Sequence, residues 1–241
     1  YMVLAPDDVS CEEASDSSIV VRCVGTPRLW NPLTGMVEPL RYATEQGKTR
    51  LWLQQVKGAC SFVVFDHDAP EEVNKAQSLR LAHEMVLRDW QLSFPSGWGV
   101  TPQTLQLDSL MAWRELPLSD EGKAFSGTAT YATQFHLKAK AKHTRYILRL
   151  GRLEEIAVVS VNGRVADTLW CAPYTVDVTS LLRKGRNTIS IDVTSTWRNR
   201  LIYDALLPEE KRRTWVIAGP EADEPLGDSG LLDEVRLQEY R

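Results

Sequence analysis

The chain predicts an all-β fold, a small β domain followed by a larger β-sandwich of the jelly-roll kind, and three observations carry that expectation. From Trp90 onward some eight short segments follow one another, at 90 to 94, 105 to 113, 127 to 137, 144 to 150, 156 to 161, 165 to 170, 174 to 178 and 187 to 196. Several of them alternate apolar and polar residues with the period of two that marks a half-buried strand. Asn162-Gly163 supplies the left-handed backbone positions that close a tight hairpin between "AVVSV" and the strand after Arg164. Short strands at this spacing, with almost no helical pattern between them, favour a sandwich or jelly roll over βαβ units.

Along the chain, "YMVLA", "SSIVVRCV", "KTRLWL" and "SFVVF" read as strands, and "LWNPLTG" as a strand running into a turn at Pro32 and Gly35. Residues 1 to 65 are therefore expected to form the small β domain. Residues 66 to 88 turn polar and charged, with Leu79, Ala82, Met85 and Val86 at rough helical spacing, and are expected to be a partly helical linker. Residues 89 to 241 form the sandwich. In "TATYATQFHL" the face of Ala129, Tyr131, Phe135 and Leu137 is apolar, and that of Thr128, Thr130, Gln134 and His136 is polar. Thr179 followed by "SLLRKG" reads as an N-capped helical turn ended by Gly185. Ile189, Ile191 and Val193 then alternate with polar residues up to "TWRNRLIYDALLPEE".

At 241 residues, with 43% hydrophobic and 25% charged residues, the chain can bury a sizeable core. A formal net charge of -4 without a basic stripe argues against nucleic acid as a partner. No apolar run approaches the roughly 20 residues of a membrane span. The first residue is Tyr1 and "YMVLA" already reads as a strand, so the sequence is expected to be a piece of something longer. Cys11, Cys23, Cys60 and Cys171 lie far apart; disulfide pairings stay open, and buried free thiols are the first expectation. His67, His83, His136 and His143 lack metal-ligand spacing, so no metal and no cofactor are expected, with a structural calcium left open because its ligands can converge from several loops.

Two strings carry a resemblance, "FSGTATYATQFHL" and "LRLGRLEEIAVVSVNGRVADTLWCAPYTVDVTSLLRKGRNTISIDVTSTWRNRLI". Together they resemble the galactose-binding-like jelly roll of glycoside hydrolase family 2 and related enzymes. Leu169-Trp170, Pro173, "TWRNRLIYDALLPEE" and "SGLLDEVRL" narrow the likeness to the C-terminal region of α-L-rhamnosidases of family 106, although Asp233 and Glu234 stand where the pattern usually has Gly-Pro. Upstream, "LWNPLTG" and "SFVVF" resemble the small β domain that precedes the jelly roll in those enzymes. The resemblance implies a galactose-binding-like jelly-roll β-sandwich in a secreted or periplasmic enzyme. It also implies that the catalytic carboxylates sit in a barrel that would precede Tyr1. This chain is then a non-catalytic accessory region whose first partner is that barrel, with a rhamnose-containing or other plant glycan as a second; the alternative is a self-sufficient carbohydrate-binding module.

No catalytic residue is assigned in this chain. Glu154 and Glu155, Asp177, Asp192, Asp204, Glu209 and Glu210 read as solvated or turn-forming carboxylates, and Trp30, Trp52, Trp90 and Trp113 as packing residues in strands. The candidates for sugar contact or domain docking are Trp98, between glycines in "PSGWGV", Trp170 and Tyr174 around "CAP", and the cluster Trp197, Arg198, Asn199 and Arg200. An indole offers a flat apolar face, Arg a rigid fork of donors and Asn both a donor and an acceptor. The apolar Leu201, Ile202, Leu206 and Leu207 that follow need cover, so docking through Arg198 or Arg200 paired to a carboxylate leads, ahead of sugar contact and local bracing.

Overall fold

The structure is a computed structural model that describes residues 2–4, 15–32, 35–55, 60–67, 80–100, 103–140 and 144–241. Two compact units emerge, residues 1–79 with 171–173, and residues 80–170 with 174–241. Among the described residues no helix is long and apolar enough to cross a membrane.

In the first unit the strands are β1 (Met2–Leu4), β2 (Ser15–Val21), β3 (Thr26–Trp30), β4 (Val37–Pro39), β5 (Tyr42–Glu45), β6 (Lys48–Gln55) and β7 (Cys60–Asp66). They form two antiparallel sheets, ordered β1-β7-β3-β4 and β2-β6-β5. The "LWNPLTG" turn closes through Gly35 N to Asn31 O and Asn31 N to Met36 O, both 2.9 Å. Gln46 and Gly47, at φ 51° and 72°, close the β5–β6 hairpin. The core is small, built on Leu40, Leu51, Leu53 and Val63. Trp52 packs under the Arg41 guanidinium at 4.7 Å, whereas Trp30 is 47% exposed rather than the packing residue expected. Cys23, Cys60 and Cys171 are free thiols, partly rather than fully buried; Cys11 lies outside the described residues.

The second unit contains β8 (Leu81–Val86), β9 (Trp90–Phe94), β10 (Gln103–Leu107), α1 (Asp120–Lys123), β11 (Thr128–Leu137), β12 (Arg145–Arg149), β13 (Leu153–Glu154), β14 (Ile156–Val161), β15 (Arg164–Leu169), β16 (Thr175–Asp177), β17 (Gly185–Thr194), α2 (Arg198–Ala205), β18 (Gly230–Leu231) and β19 (Arg236–Tyr240). A six-stranded sheet, β10-β9-β11-β17-β14-β15, faces a four-stranded sheet, β16-β12-β19-β8, with the short pair β13-β18 beside them. Leu92, Tyr131, Val159 and Ile191 from the first sheet and Tyr146, Leu148, Val176 and Leu237 from the second share one core, which makes this unit a β-sandwich.

The expected inward face of β11 is buried at Ala129, Tyr131 and Leu137 and partly at Phe135; Thr133 joins it, its hydroxyl donating to Arg88 O at 2.6 Å. Asn162, at φ 52°, turns the β14–β15 hairpin, and its side chain also donates to Leu181 O and to Asn187 Oδ1, both at 2.9 Å. The "SLLRKG" stretch makes a single turn, but Thr179 Oγ1 accepts from Tyr146 N at 2.8 Å instead of capping that turn. Leu181 and Leu182 amides donate to Val178 O, and the buried Asn187 side chain then satisfies the Arg183 and Gly185 carbonyls, which removes the need for further helical bonds. The Asp233 departure is accommodated by its carboxylate, which accepts from Arg152 N at 3.1 Å.

One segment corrects the reading of the sequence. Residues 81–86 are a strand, not part of a helical linker: β8 pairs along β19, and Glu84 accepts from Arg236 at 2.8 Å and from Gln238 at 2.7 Å across the strands. The apolar spacing over so short a window suits either periodicity, and pairing with a strand some 150 residues downstream decides it. Residues 68 to 79 of that linker lie outside the described residues.

At the centre of the sandwich, Trp113 Nε1 donates to the Tyr131 hydroxyl at 2.6 Å, and the Leu231 amide donates to the same oxygen at 3.3 Å. Burial pushes the Tyr131 phenol up to about 12 despite those two donors. Gly230, at φ 103°, lets the backbone pass; a Cβ there would lie 2.5 Å from both Trp113 Nε1 and Tyr131 Oη. Tyr131→Phe leaves two buried donors without an acceptor and should cost about 2 kcal/mol in denaturant unfolding. Gly230→Ala should cost at least as much, from the clash and the strained backbone together.

Candidate functional site

The Trp-Arg-Asn-Arg cluster does not end a strand. It begins α2, and that helix turns the cluster's members toward different environments. Arg200 is fully buried, with its guanidinium 2.8 Å from Glu121 Oε1 and 2.7 Å from Asp204 Oδ1, one turn along the helix. Its planar group also lies 5.3 Å from the ring centres of Trp98 and of Tyr203. Trp98, half-buried at φ 50°, meets Trp197 edge-on at 4.9 Å. Gly99 is needed beside it, because a Cβ at φ 80° would lie 2.1 Å from Glu121 Cγ. Loop, α1 and α2 thus close around one cation.

Asn199 is buried too, and its amide exchanges hydrogen bonds with the Gly227 backbone at 2.9 and 2.8 Å. Arg198 is exposed and paired with Glu224. Asn199 and Arg200 are accordingly braces within their own unit, not groups held out to a sugar or a neighbouring domain. The physical reason is the helical turn: it places Arg200 and Asp204 on one face, four residues apart, and rolls that face inward.

Asp204 is a further correction, since it is buried rather than solvated. Its Oδ2 accepts from the Arg213 amide at 3.0 Å, the Thr214 amide at 2.8 Å and the Thr214 hydroxyl at 2.6 Å. Burial alone would raise this carboxyl; the bonds from Thr214, Arg200 and Arg213 outweigh it and hold the group below the usual carboxylate range. The consequence reaches past Thr214. Trp215 is 84% exposed and Ile217 90%, with Leu206 and Val216 exposed nearby, so Asp204 fixes the base of an apolar tip that faces solvent. Beside it a depression of about 440 Å³ is bordered by Leu201, Asp204, Glu209, Arg212, Thr214 and Trp215.

Of the remaining candidates, Trp170 follows β15 and is 61% exposed, and the half-buried Tyr174 accepts at its carbonyl from Leu150 N at 3.0 Å. The described carboxylates are pulled in different directions. Asp228 is lowered first by the hydrogen bond from Arg114 and then by Arg152; at Asp177, bonds from Thr179 and Arg145 overcome burial. Glu154 moves the other way, raised by burial and by the adjacent Glu155, with Arg152 opposing. Glu121, Asp204 and Trp215 are the members that residue patterns did not single out as functional. The i, i+4 spacing of Arg200 and Asp204 was the available signal, visible only once the stretch is read as helix.

Residues 121–219 match the family described as glycosyl hydrolase 2 galactose-binding domain-like. This segment is a galactose-binding-like domain. The chain is similar to a rhamnosidase from Novosphingobium sp. PP1Y, 36% identical with a TM-score of 0.77, over 91% of this chain and 21% of that one. It is also 38% identical, over 132 residues, to a putative beta-glucuronidase of Formosa agariphila, covering 54% of this chain and 11% of that protein. The chain thus spans about a fifth and about a tenth of these two relatives. The matched residues take in most of α1, β11 to β17, α2 and the Trp215 tip, so Glu121, Arg200, Asp204 and the surface they support lie inside the match, while Trp98 lies before it.

Arg200→Ala should destabilise the 241-residue chain itself by about 3 kcal/mol in chemical unfolding, because it strands the buried Asp204 carboxylate. A surface docking residue would show only a few tenths. The Asp204 contribution follows from its lowered value: it is present above the unfolded carboxylate pKa of about 3.9 and is lost as pH falls through the folded one. The melting difference between the wild type and Asp204→Asn should therefore be constant from about pH 7 to 5 and shrink below about pH 4.

Proposed function

We propose that this chain is a non-catalytic accessory region of a carbohydrate-active, α-L-rhamnosidase-like glycoside hydrolase, periplasmic or secreted, and that it flanks and stabilises a catalytic barrel. The observation that carries the reading is the tip at Trp215 and Ile217. Exposed apolar side chains on a held backbone are characteristic of surfaces that another protein covers, and Trp is enriched at such contacts. The buried bonds of Asp204 to Arg213 and Thr214 supply the hold. The length of the relatives supplies the covering body, since most of each lies outside the part this chain matches. Asp177, Asp204 and Asp228 are held ionised by cations and amides, unlike the raised general acid that glycoside hydrolysis requires, and Glu154, raised by burial and by Glu155, is the carboxylate whose substitution tests the reading.

In this reading the docking role passes from Arg198, Asn199 and Arg200 to the segment they brace. Replacing Trp215 and Ile217 together by Ser should leave the melting of the 241-residue chain nearly unchanged, as exposed substitutions do. In the longer enzyme that contains it, the same change should cost about 2 kcal/mol or more, because both side chains leave a buried contact. Equal effects in the two contexts would remove the docking role. The 241-residue chain should also release no product from aryl rhamnosides or aryl glucuronides. Turnover that a single carboxylate substitution abolishes would overturn the non-catalytic assignment.

A further inference from the structure

The outer face of the six-stranded sheet carries a second concavity, of about 430 Å³, and strand register explains its shape. Gln106 pairs with Gln91, Gln91 with Ala132, Ala132 with Ser190 and Ser190 with Ser160, so one row of outward residues crosses β10, β9, β11, β17 and β14. The middle of that row is short, at Ala132, Ser190 and Ser160, and its end is long, at Gln91 and Gln106. The next row, Gln134 opposite Thr188 with Arg186 beyond, rises along one side. A flat sheet thereby acquires a trough floored by small residues and edged by amides, a hydroxyl and a guanidinium.

The bonding of the face leaves the side chains of this trough available to a ligand. The rows on the other side satisfy themselves: Thr130 donates to Asp192 at 2.7 Å, Ser93 and Thr104 share a bond of 3.0 Å, and Thr128 and Thr194 one of 2.7 Å. In the trough, among the described residues, no hydrogen bond or ion pair occupies the side chains of Gln91, Gln106, Gln134, Thr188 or Arg186. Three primary amides, each a donor and an acceptor, are left pointing around one hollow.

We infer that the trough on the outer face of the six-stranded sheet binds a neutral, hydroxyl-rich glycan segment by hydrogen bonds to Gln91, Gln106 and Gln134. The chemistry of the lining selects this occupant. No aromatic ring lines the trough, so sugar rings are held by their hydroxyl edges and not by stacking. Large apolar side chains are absent from the exposed lining, which disfavours a protein partner, whose contacts need apolar anchors. The single cation, Arg186, is matched by Asp89 in the same lining, so neither a polyanion nor a strongly acidic sugar is preferred. The volume lies within the range of small-molecule sites. The inference rests on the reading of the chain as part of a carbohydrate-active enzyme and adds a site to it, on a surface separate in sequence from the Trp215 tip.

The test is a titration of the isotopically labelled 241-residue chain with neutral arabinogalactan oligosaccharides, following the side-chain amide resonances of the glutamines, with polygalacturonate oligosaccharides as the acidic comparison. Without stacking the dissociation constant should be about millimolar. The amides of Gln91, Gln106 and Gln134 should shift with the neutral glycan and less with the acidic one. Gln91→Ala with Gln134→Ala, both on exposed strand positions, should weaken binding about tenfold by removing two hydrogen-bonding side chains. Gln106→Ala tests the same row independently and should weaken it about threefold. Absence of any shift with the neutral glycan overturns the proposal, as do shifts centred on the Trp215 indole, stronger binding of the acidic glycan, or affinity unchanged in both variants. The docking role is decided by the melting comparison of the Trp215 and Ile217 change in the two contexts, so either idea can fail alone.

Discussion

A single buried guanidinium organises the galactose-binding-like domain's end. Arg200 is always charged, and with essentially no exposure it has to be met by charge and dipole from within the protein. Glu121 arrives from α1, Asp204 from one turn further along α2, and the Trp98 and Tyr203 rings lie against the guanidinium. Those demands explain otherwise unrelated details. Gly99 must be glycine because Glu121 passes where a Cβ would be, and Trp98 takes a left-handed backbone conformation that brings its ring to the cation.

From the same centre the constraint runs outward. Asp204 uses one oxygen on Arg200 and the other on the backbone of Arg213 and the backbone and hydroxyl of Thr214, so a segment without helix or strand is tied down directly before Trp215. Asn199 does the same for the returning chain at Gly227. Ion pairs in a protein interior are weak evidence for net stability, since desolvation offsets much of the attraction. Their contribution here is positional: they convert a long connection between α2 and β18 into a held surface.

The sandwich behind this end has its own fixed point, the Trp113, Tyr131 and Leu231 bond beneath Gly230. It joins the central strand of the six-stranded sheet to β18 and accounts for the Ser-Gly-Leu-Leu string that carried part of the family resemblance. Two parts of the six-stranded sheet's outward face behave differently. Where opposite residues are Thr, Ser and Asp of matched reach, they bond each other across the strands; where Gln106 faces Gln91, Gln91 faces Ala132 and Gln134 faces Thr188, no such bond forms among the described residues and a hollow remains. Sheet register, which sets both faces at once, therefore makes the trough as a by-product of the packing that builds the core.

By itself the sequence determined several strands of the sandwich, among them β9, β11, β14 and β17, with the inward face of β11 and the Asn162-Gly163 hairpin, because a period of two and a left-handed turn are local properties of a few residues. It could not determine β8, whose short apolar pattern suits either periodicity until β19 pairs with it. Nor could it assign Arg200: a Trp-Arg-Asn-Arg string has the same composition whether it faces sugar, another domain or its own core. That choice lay with Glu121, 79 positions earlier, and with the helical turn that brings Asp204 beneath it. The trough was equally hidden, since its five-strand row draws Gln106, Gln91, Ala132, Ser190 and Ser160 from separate stretches of chain. Charge satisfaction and strand register are decided by contacts between distant segments, and only the tertiary structure brings those segments together.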